Sequence, residues 1–280
     1  MAQVDTGTED LLAEQTDGVL VLTMNRPSRR NALSREMLGA MADQLARADE
    51  DGDVRVVVLT GAGGAFCAGG DVKAMAAGRD ADLDIDTRIH RQRLSQRNTS
   101  GRLHTMSKPT VAAIPGAAAG AGLALALACD LRVMADTAIM TTAFARVGFS
   151  GDYGGTYFLS QLVGTAKARE LYFLSDRVDA AEAQRLGLAN RVTSGDALMD
   201  ETMAMAKRLA EGPPIALRYM KENLNRALGG DPFECMDLEV THHVHTGQTD
   251  DHKNAVQAFV EKRITLFPYT TLFRYRKSVV

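Results

Sequence analysis

Short apolar runs alternate along the chain with stretches in which apolar positions recur at helical spacing, and this rhythm gives the first reading of the fold. Residues 19–24 (VLVLTM), closed by Asn25-Arg26-Pro27, predict a strand. Residues 54–60, rich in valine and bracketed by Gly52 and Gly61, predict a fully buried one, as do residues 110–114 ahead of Pro115-Gly116. Residues 131–134 predict another. Ser34 is placed to cap a helix whose Met37, Leu38, Met41 and Leu45 share one face. Residues 123–129 predict a buried helix. From residue 180 onward the pattern is helical, over 180–186, 197–209 and 214–228, with further helices over 233–245 and 254–262. Strands interleaved with helices, then helices alone, predict an α/β core followed by a helical C-terminal region.

Composition narrows the class of protein. The 280 residues are 45% hydrophobic and 24% charged, enough to bury a sizeable core and unlike a disordered chain. Lys and Arg number 32 against 35 Asp and Glu, a net charge of −3 that removes the electrostatic case for a nucleic-acid partner. Three cysteines without paired spacing fit a reducing compartment. Residues 109–129 carry no charge, and Gly116 and Gly120 form a GxxxG. Their bulk is Ala and Gly, however, and Pro115-Gly116 punctuates them, so a strand, a turn and a small-residue helix are expected rather than a membrane span. The acidic N-terminus offers no signal peptide, and a cytoplasmic location is expected.

Two glycine-rich loops follow predicted strands. Gly61-Ala-Gly63-Gly64-Ala-Phe66 and Gly120-Ala-Gly122-Leu-Ala-Leu125 each lack the third small residue of a dinucleotide fingerprint, and neither contains the G-K-[S/T] of a phosphate loop. Together they could present two backbone N–H groups to one space, which is what an oxyanion developing on a carbonyl requires. Predicted helix starts behind both loops would add favourable dipole potential. Other candidates read as structural. Cys67 has no basic neighbour to activate it, and Ser150 lacks the spacing of a nucleophile elbow. His242, His243, His245 and His252, with Asp250 and Asp251, fall on a helix and its end without a metal-binding spacing, so no metal is expected. Arg88, Arg91, Arg93, Arg97 and Arg102 read as a solvated face balanced by Asp80, Asp82, Asp84 and Asp86.

The motifs Phe66-Cys-Ala-Gly-Gly-Asp71-Val-Lys73, Lys108-Pro-Thr-Val-Ala-Ala-Ile-Pro-Gly116 and Gly120-Ala-Gly122 through Ala128-Cys129-Asp130 resemble the enoyl-CoA hydratase/isomerase (crotonase) superfamily. Asn25-Arg-Pro with Asn31-Ala-Leu33, Gly154-Gly155-Thr156, Arg185-Leu-Gly187-Leu with Val192, and Ala258-Phe-Val-Glu261-Lys-Arg263 extend the resemblance over residues 11–263 in the same order. It implies an α/β, crotonase-like spiral of ββα turns over 11–205, binding acyl-CoA, and a helical oligomerisation region over 206–263 that makes a homotrimer or a dimer of trimers. It also implies an acyl-CoA thioester substrate and no separate cofactor, coenzyme A being part of the substrate.

By position in the motifs, the oxyanion donors would be the backbone amides of Gly70 and Ala121. The coenzyme A arm would lie along Arg26 to Ala32 and along Ala68, Gly70, Asp71, Val72 and Lys73. Gly120 and Phe144 would also contact the substrate, and Lys262 would contact it from a neighbouring subunit.

The pattern departs from the hydratases of this family where two water-holding glutamates are expected: those positions are Ala124 and Phe144. Neither can deprotonate water. Asp152, in Ser150-Gly151-Asp152-Tyr153-Gly154-Gly155-Thr156, stands near the place where family isomerases carry one acid. An apolar wall of Phe144, Val147, Phe149 and Tyr153 would raise its pKa, and a helix start would oppose the shift. The expected function is therefore an enoyl-CoA isomerase, of the Δ3,Δ2 or phenylacetate-pathway type, with Asp152 as acid and base. A hydratase with other water-holding groups and a catalytically idle thioester binder are the alternatives. Residues 264–280 hold Phe267, Tyr269, Phe273 and Tyr275 and no acid, unlike the family's usual ending, and are read as a non-native tail.

Overall fold

A computed structural model describes residues 2–78 and 82–262. Asp80, Arg263 and the tail 264–280 lie outside them. Strands β1 (Ala2–Val4), β2 (Leu11–Thr16) and β3 (Val19–Met24) form an antiparallel meander, with Leu11 opposite Met24. Alternation explains β2, since Leu11 and Ala13 are buried while Leu12 between them faces water. Helix α1 (Arg35–Glu50) begins where Ser34 Oγ accepts the Met37 N–H at 3.1 Å. Its Met37, Met41 and Leu45 are fully buried, as their spacing requires.

Strand β4 (Val56–Gly61) runs parallel to β3. Val56, Val57, Val58 and Leu59 are completely buried, each contributing roughly 1.5–3 kcal/mol from transfer out of water. After α2 (Val72–Ala76) and α3 (Ile85–Gln96) comes a π turn over Arg97–Gly101, then α4 (Arg102–Thr105). Helix α3 buries none of its residues, as expected for the arginine-rich face.

The uncharged stretch resolves into β5 (Thr110–Ile114), the short β6 (Ala118–Ala119) and α5 (Ala121–Ala128), every residue of which is buried. No helix among the described residues is long and apolar enough to cross a membrane. There follow β7 (Leu131–Ala135), β8 (Ile139–Thr141), α6 (Gly155–Leu174), β9 (Val178–Asp179), α7 (Ala180–Arg185) and β10 (Arg191–Thr193). Helix α6 is broken at Gly164, whose φ of +75° is not helical.

The main sheet has the order β1-β2-β3-β4-β5-β7-β10, parallel from β3 onward. A second sheet has the order β6-β8-β9, with β6 immediately preceding Gly120. The C-terminal helices are α8 (Leu198–Ala210), α9 (Pro214–Ala227), α10 (Pro232–Thr246) and α11 (Asp250–Val260). α8 packs along β3, β4, β5 and β7. α9 is pinned by buried Lys221, whose Nζ donates to Leu103 O at 2.8 Å, Lys108 O at 3.1 Å and Asp130 Oδ2 at 2.8 Å. α10 rests on α9, where His242 stacks on Tyr219 with ring centroids 4.0 Å apart. The other face of α10 is bare: Phe233, Met236, Val240 and Val244 form an exposed stripe.

Candidate active site

The two glycine-rich loops meet edge to edge. Cys67 bridges Ala118 in parallel register, Ala119 N–H donates to Cys67 O at 2.9 Å, and the Phe66 and Cys67 amides both donate to Ala117 O at 3.1 Å. Asn31, fully buried, holds the first loop from behind by donating to the carbonyls of Ala62, Ala65 and Phe66. Leu33 pairs with Gly70 and donates to Gly69 O at 2.9 Å.

Two glycines make this closeness feasible. At Gly69, with φ +90°, a Cβ would lie 2.8 Å from Ala119 O and 3.3 Å from Ala121 N. At Gly122 it would lie 2.4 Å from Cys67 O. Backbone must therefore touch backbone here, which only glycine permits. Gly70 and Ala121 consequently stand on facing loops. Among the described residues, neither of their amides donates a backbone hydrogen bond outside its own element. Two such N–H groups beside the start of the buried helix α5 form an arrangement that can hold a developing oxyanion.

Asp152 lies in the turn that abuts α5. A Cβ at Gly155 would stand 3.2 Å from Ala124 Cβ, and Gly155 N–H donates to Asp152 O at 3.0 Å. The Asp152 carboxyl is pushed up to about 6 by burial, and its Oδ1 is buried without a hydrogen-bond partner. Burial wins over the start of α6 three residues later, whose dipole would favour the anion. A carboxyl that changes charge near neutrality, with a free oxygen, is suited to taking and returning a proton.

Ala124 and Phe144, the two positions lacking glutamate, line one narrow crevice with Gly120, Gly155 and Tyr172. Phe144 stacks on Tyr172 at 5.9 Å, with the ring planes 9° apart. Tyr172, which sequence reasoning missed, is pushed up by burial and secondarily by the charge of Asp152. The expected apolar wall is only half present. Phe144 and Tyr153 are buried, but Val147 and Phe149 are 51% and 55% exposed, because a 3-10 turn over Phe144–Val147 ends at left-handed Gly148 and the following residues lie at the surface.

The proposed coenzyme A contacts divide into two groups. Arg26 and Asp71 spend their charges on each other, both guanidinium NH groups lying 3.1 Å from Asp71 Oδ2, and Arg26 also donates to Ala32 O at 2.6 Å. Asp71 caps α2 as well, and the Ala74 N–H followed by Arg26 holds its carboxyl below the usual range. These two side chains build the loop, leaving exposed Ala68, Val72 and Lys73 as its open rim. Lys262 follows α11 and is exposed. Cys67 is fully buried, its thiol donates to Asn31 O, and burial pushes it up to about 12, so it is inert as a nucleophile.

The geometry can be set beside known proteins. The profile of the enoyl-CoA hydratase/isomerase family matches residues 14–269. The 1,2-epoxyphenylacetyl-CoA isomerase of Escherichia coli (strain K12) is 33% identical over 262 residues, 92% of this chain and 98% of that protein. The short-chain-enoyl-CoA hydratase of Clostridium acetobutylicum is 32% identical over 260 residues, 91% of this chain and 95% of that one. The crystal structure of an enoyl-CoA hydratase from Polaromonas sp. JS666 superposes with a TM-score of 0.86 at 33% identity, covering 91% of this chain and 98% of that one. Facing glycine loops, the buried small-residue helix behind them and the helical C-terminal region thus coincide with matches over nearly the whole length, and the chain belongs to the enoyl-CoA hydratase/isomerase family, with the crotonase fold.

Proposed function

We propose that the protein is an enoyl-CoA isomerase of the Δ3,Δ2 or phenylacetate-pathway type, acting on acyl-CoA thioesters. The Asp152 carboxylate removes a proton from C2 of a 3-enoyl thioester. The electrons move onto the thioester oxygen, the Gly70 and Ala121 amides hold the resulting dienolate, and the same carboxyl returns the proton at C4. The double bond ends in conjugation with the carbonyl. No proton is gained or lost overall, and the reaction balances without a cofactor beyond the coenzyme A of the substrate. One observation carries the reading: the carboxyl beside α5 is raised to about 6 and keeps an unpartnered oxygen, while both hydratase glutamate positions are Ala124 and Phe144.

Purified protein given a 3-enoyl-CoA should produce the ultraviolet absorbance of the conjugated 2-enoyl thioester. A hydratase would instead consume that absorbance when given a 2-enoyl-CoA, and an idle binder would hold the thioester and change neither; either result overturns the proposal. The protein is further proposed to work in the cytoplasm as a homotrimer or dimer of trimers, the exposed stripe of α10 being covered by a second copy.

A further inference from the structure

Helix α3 is exposed along its length, yet its last turn is fixed with unusual care. The π turn that follows is anchored by two buried hydroxyls. Thr99 Oγ1 donates to Ser95 O at 2.7 Å, and Ser100 Oγ donates to Gln96 O at 3.1 Å. The same turn packs on α1 and on α5, the helix behind the oxyanion loop. Local π geometry of this kind costs backbone regularity and is frequent at functional sites.

Ser95 and Gln96, held in this way, both point at one residue. Gln96 Oε1 accepts the Tyr153 N–H at 2.8 Å, and Ser95 Oγ shares a hydrogen bond of 3.1 Å with the Tyr153 hydroxyl. Tyr153 is 3% exposed and sits at φ +51°, in the left-handed region that bulky residues avoid. It follows Asp152 directly, so whatever fixes the Tyr153 amide fixes the peptide plane from which the Asp152 side chain departs. Strain of this sort persists only where the surroundings over-determine it. Here they do so from both sides, through Gln96 at the Tyr153 amide and through Gly155 N–H at Asp152 O.

We propose that Gln96, supported by Ser95 and the π turn, is a positioning residue that holds the Asp152 carboxyl at its working place beside α5. The inference rests on the reading of Asp152 as the acid and base. Gln96 touches no reacting atom, so its removal should leave thioester binding and lower the rate of the chemical step. Displacement of a reacting group by about 1 Å costs on the order of 10²-fold in rate.

The test measures kcat and KM on a 3-enoyl-CoA, and the pH profile of kcat, for Gln96→Leu, Gln96→Glu and Asp152→Asn beside the native protein. Gln96→Leu, which deletes the acceptor, should lower kcat about 10- to 100-fold with KM changed by less than about threefold. Gln96→Glu keeps an acceptor for the Tyr153 N–H, so it should recover most of kcat. It should also move the acidic limb of the profile upward, because a second carboxylate then faces the Asp152 turn. A residue serving only stability would produce neither the rescue nor the shift.

If Gln96→Leu proves insoluble, Ser95→Ala removes only the hydroxyl and should lower kcat with KM unchanged; full activity in that variant would overturn the inference. Native kcat in Gln96→Leu, with Asp152→Asn inactive, overturns the positioning role alone. Native kcat in Asp152→Asn overturns the acid/base reading itself and this inference with it.

Discussion

Replacing Asp152 with Asn should cost the protein its activity and make it more stable, by an amount that depends on pH. The carboxyl sits at about 6 in the folded protein against an ordinary 3.8, and burial is the cause. The folded chain therefore keeps a proton that the unfolded chain releases as pH rises from about 3.8 to about 6, so folding stability falls through that window and the penalty is complete above it. The difference of about two pH units, at about 1.36 kcal/mol each, gives roughly 3 kcal/mol as the full penalty. Solvent reaching the half-buried side chain trims this to roughly 2 kcal/mol. Asn has nearly the same shape and never ionises, so it escapes the penalty.

Urea unfolding at equal protein concentration should show Asp152→Asn more stable by about 2 kcal/mol at pH 7.5 and by only about a third of that at pH 4.5. A gain that is the same at both pH values would mean that burial of charge is not what raises the carboxyl. A loss of stability at pH 7.5 would mean that the carboxylate is held by favourable partners, and the reasoning would fail.

Other outcomes follow from the same geometry. Isomerase kcat/KM should rise with pH to a plateau through an apparent pKa of about 6, as Asp152 must start ionised; a limb near 4, or no limb, would remove Asp152 from the mechanism. Gly122→Ala would place a methyl 2.4 Å from Cys67 O, push the two glycine-rich loops apart and lower kcat by about 10²-fold or more with the thioester still bound; native kinetics would show that the spacing of the loops is unimportant. Lys221→Met would take the ammonium away from the Asp130 carboxylate, which keeps its bonds from Thr110, and from the carbonyls of Leu103 and Lys108, costing about 1–2 kcal/mol in denaturant unfolding while leaving KM unchanged in the folded fraction. Val240→Asp, in the middle of the exposed α10 stripe, should reduce the mass measured by light scattering to that of a single chain.

Much of this was legible in the sequence, and the parts that were not have physical reasons. The runs that became β3, β4 and β5 are apolar, short and closed by Pro or Gly, because strands buried on both faces carry no alternation to obscure them. Ser34 announced its cap. The hairpin β1-β2 escaped notice because Leu12 breaks the apparent pattern by facing water between two buried neighbours. Helix α3 has no apolar face to reveal it, and only Asp84, whose side chain accepts the Thr87 N–H at 2.9 Å, marks its start. Helix α6 was foreshadowed only by the Gly154-Gly155 start, since the break at Gly164 divides its apolar period in two.

At the site, the loop motifs and Asp152 could be named from their order along the chain. Arg26 and Asp71 could not be recognised as partners, because 45 residues separate them and only the fold brings their charges together. Gln96 and Tyr172 were hidden for the same reason. Each comes beside the Asp152 turn only through the fold, and nothing in its own stretch of sequence signals it.

In the proposed isomerisation one carboxyl both removes and returns the proton. The most direct test is to convert a 3-enoyl-CoA deuterated at C2 in ordinary water and to locate the deuterium in the 2-enoyl product. Asp152 is half-buried and its Oδ1 meets neither solvent nor another polar group, so transfer to C4 should compete with exchange. Deuterium is expected at C4 in the native product, with no product from Asp152→Asn. A product whose C4 hydrogen comes wholly from solvent, formed at the same rate by Asp152→Asn, would contradict this mechanism.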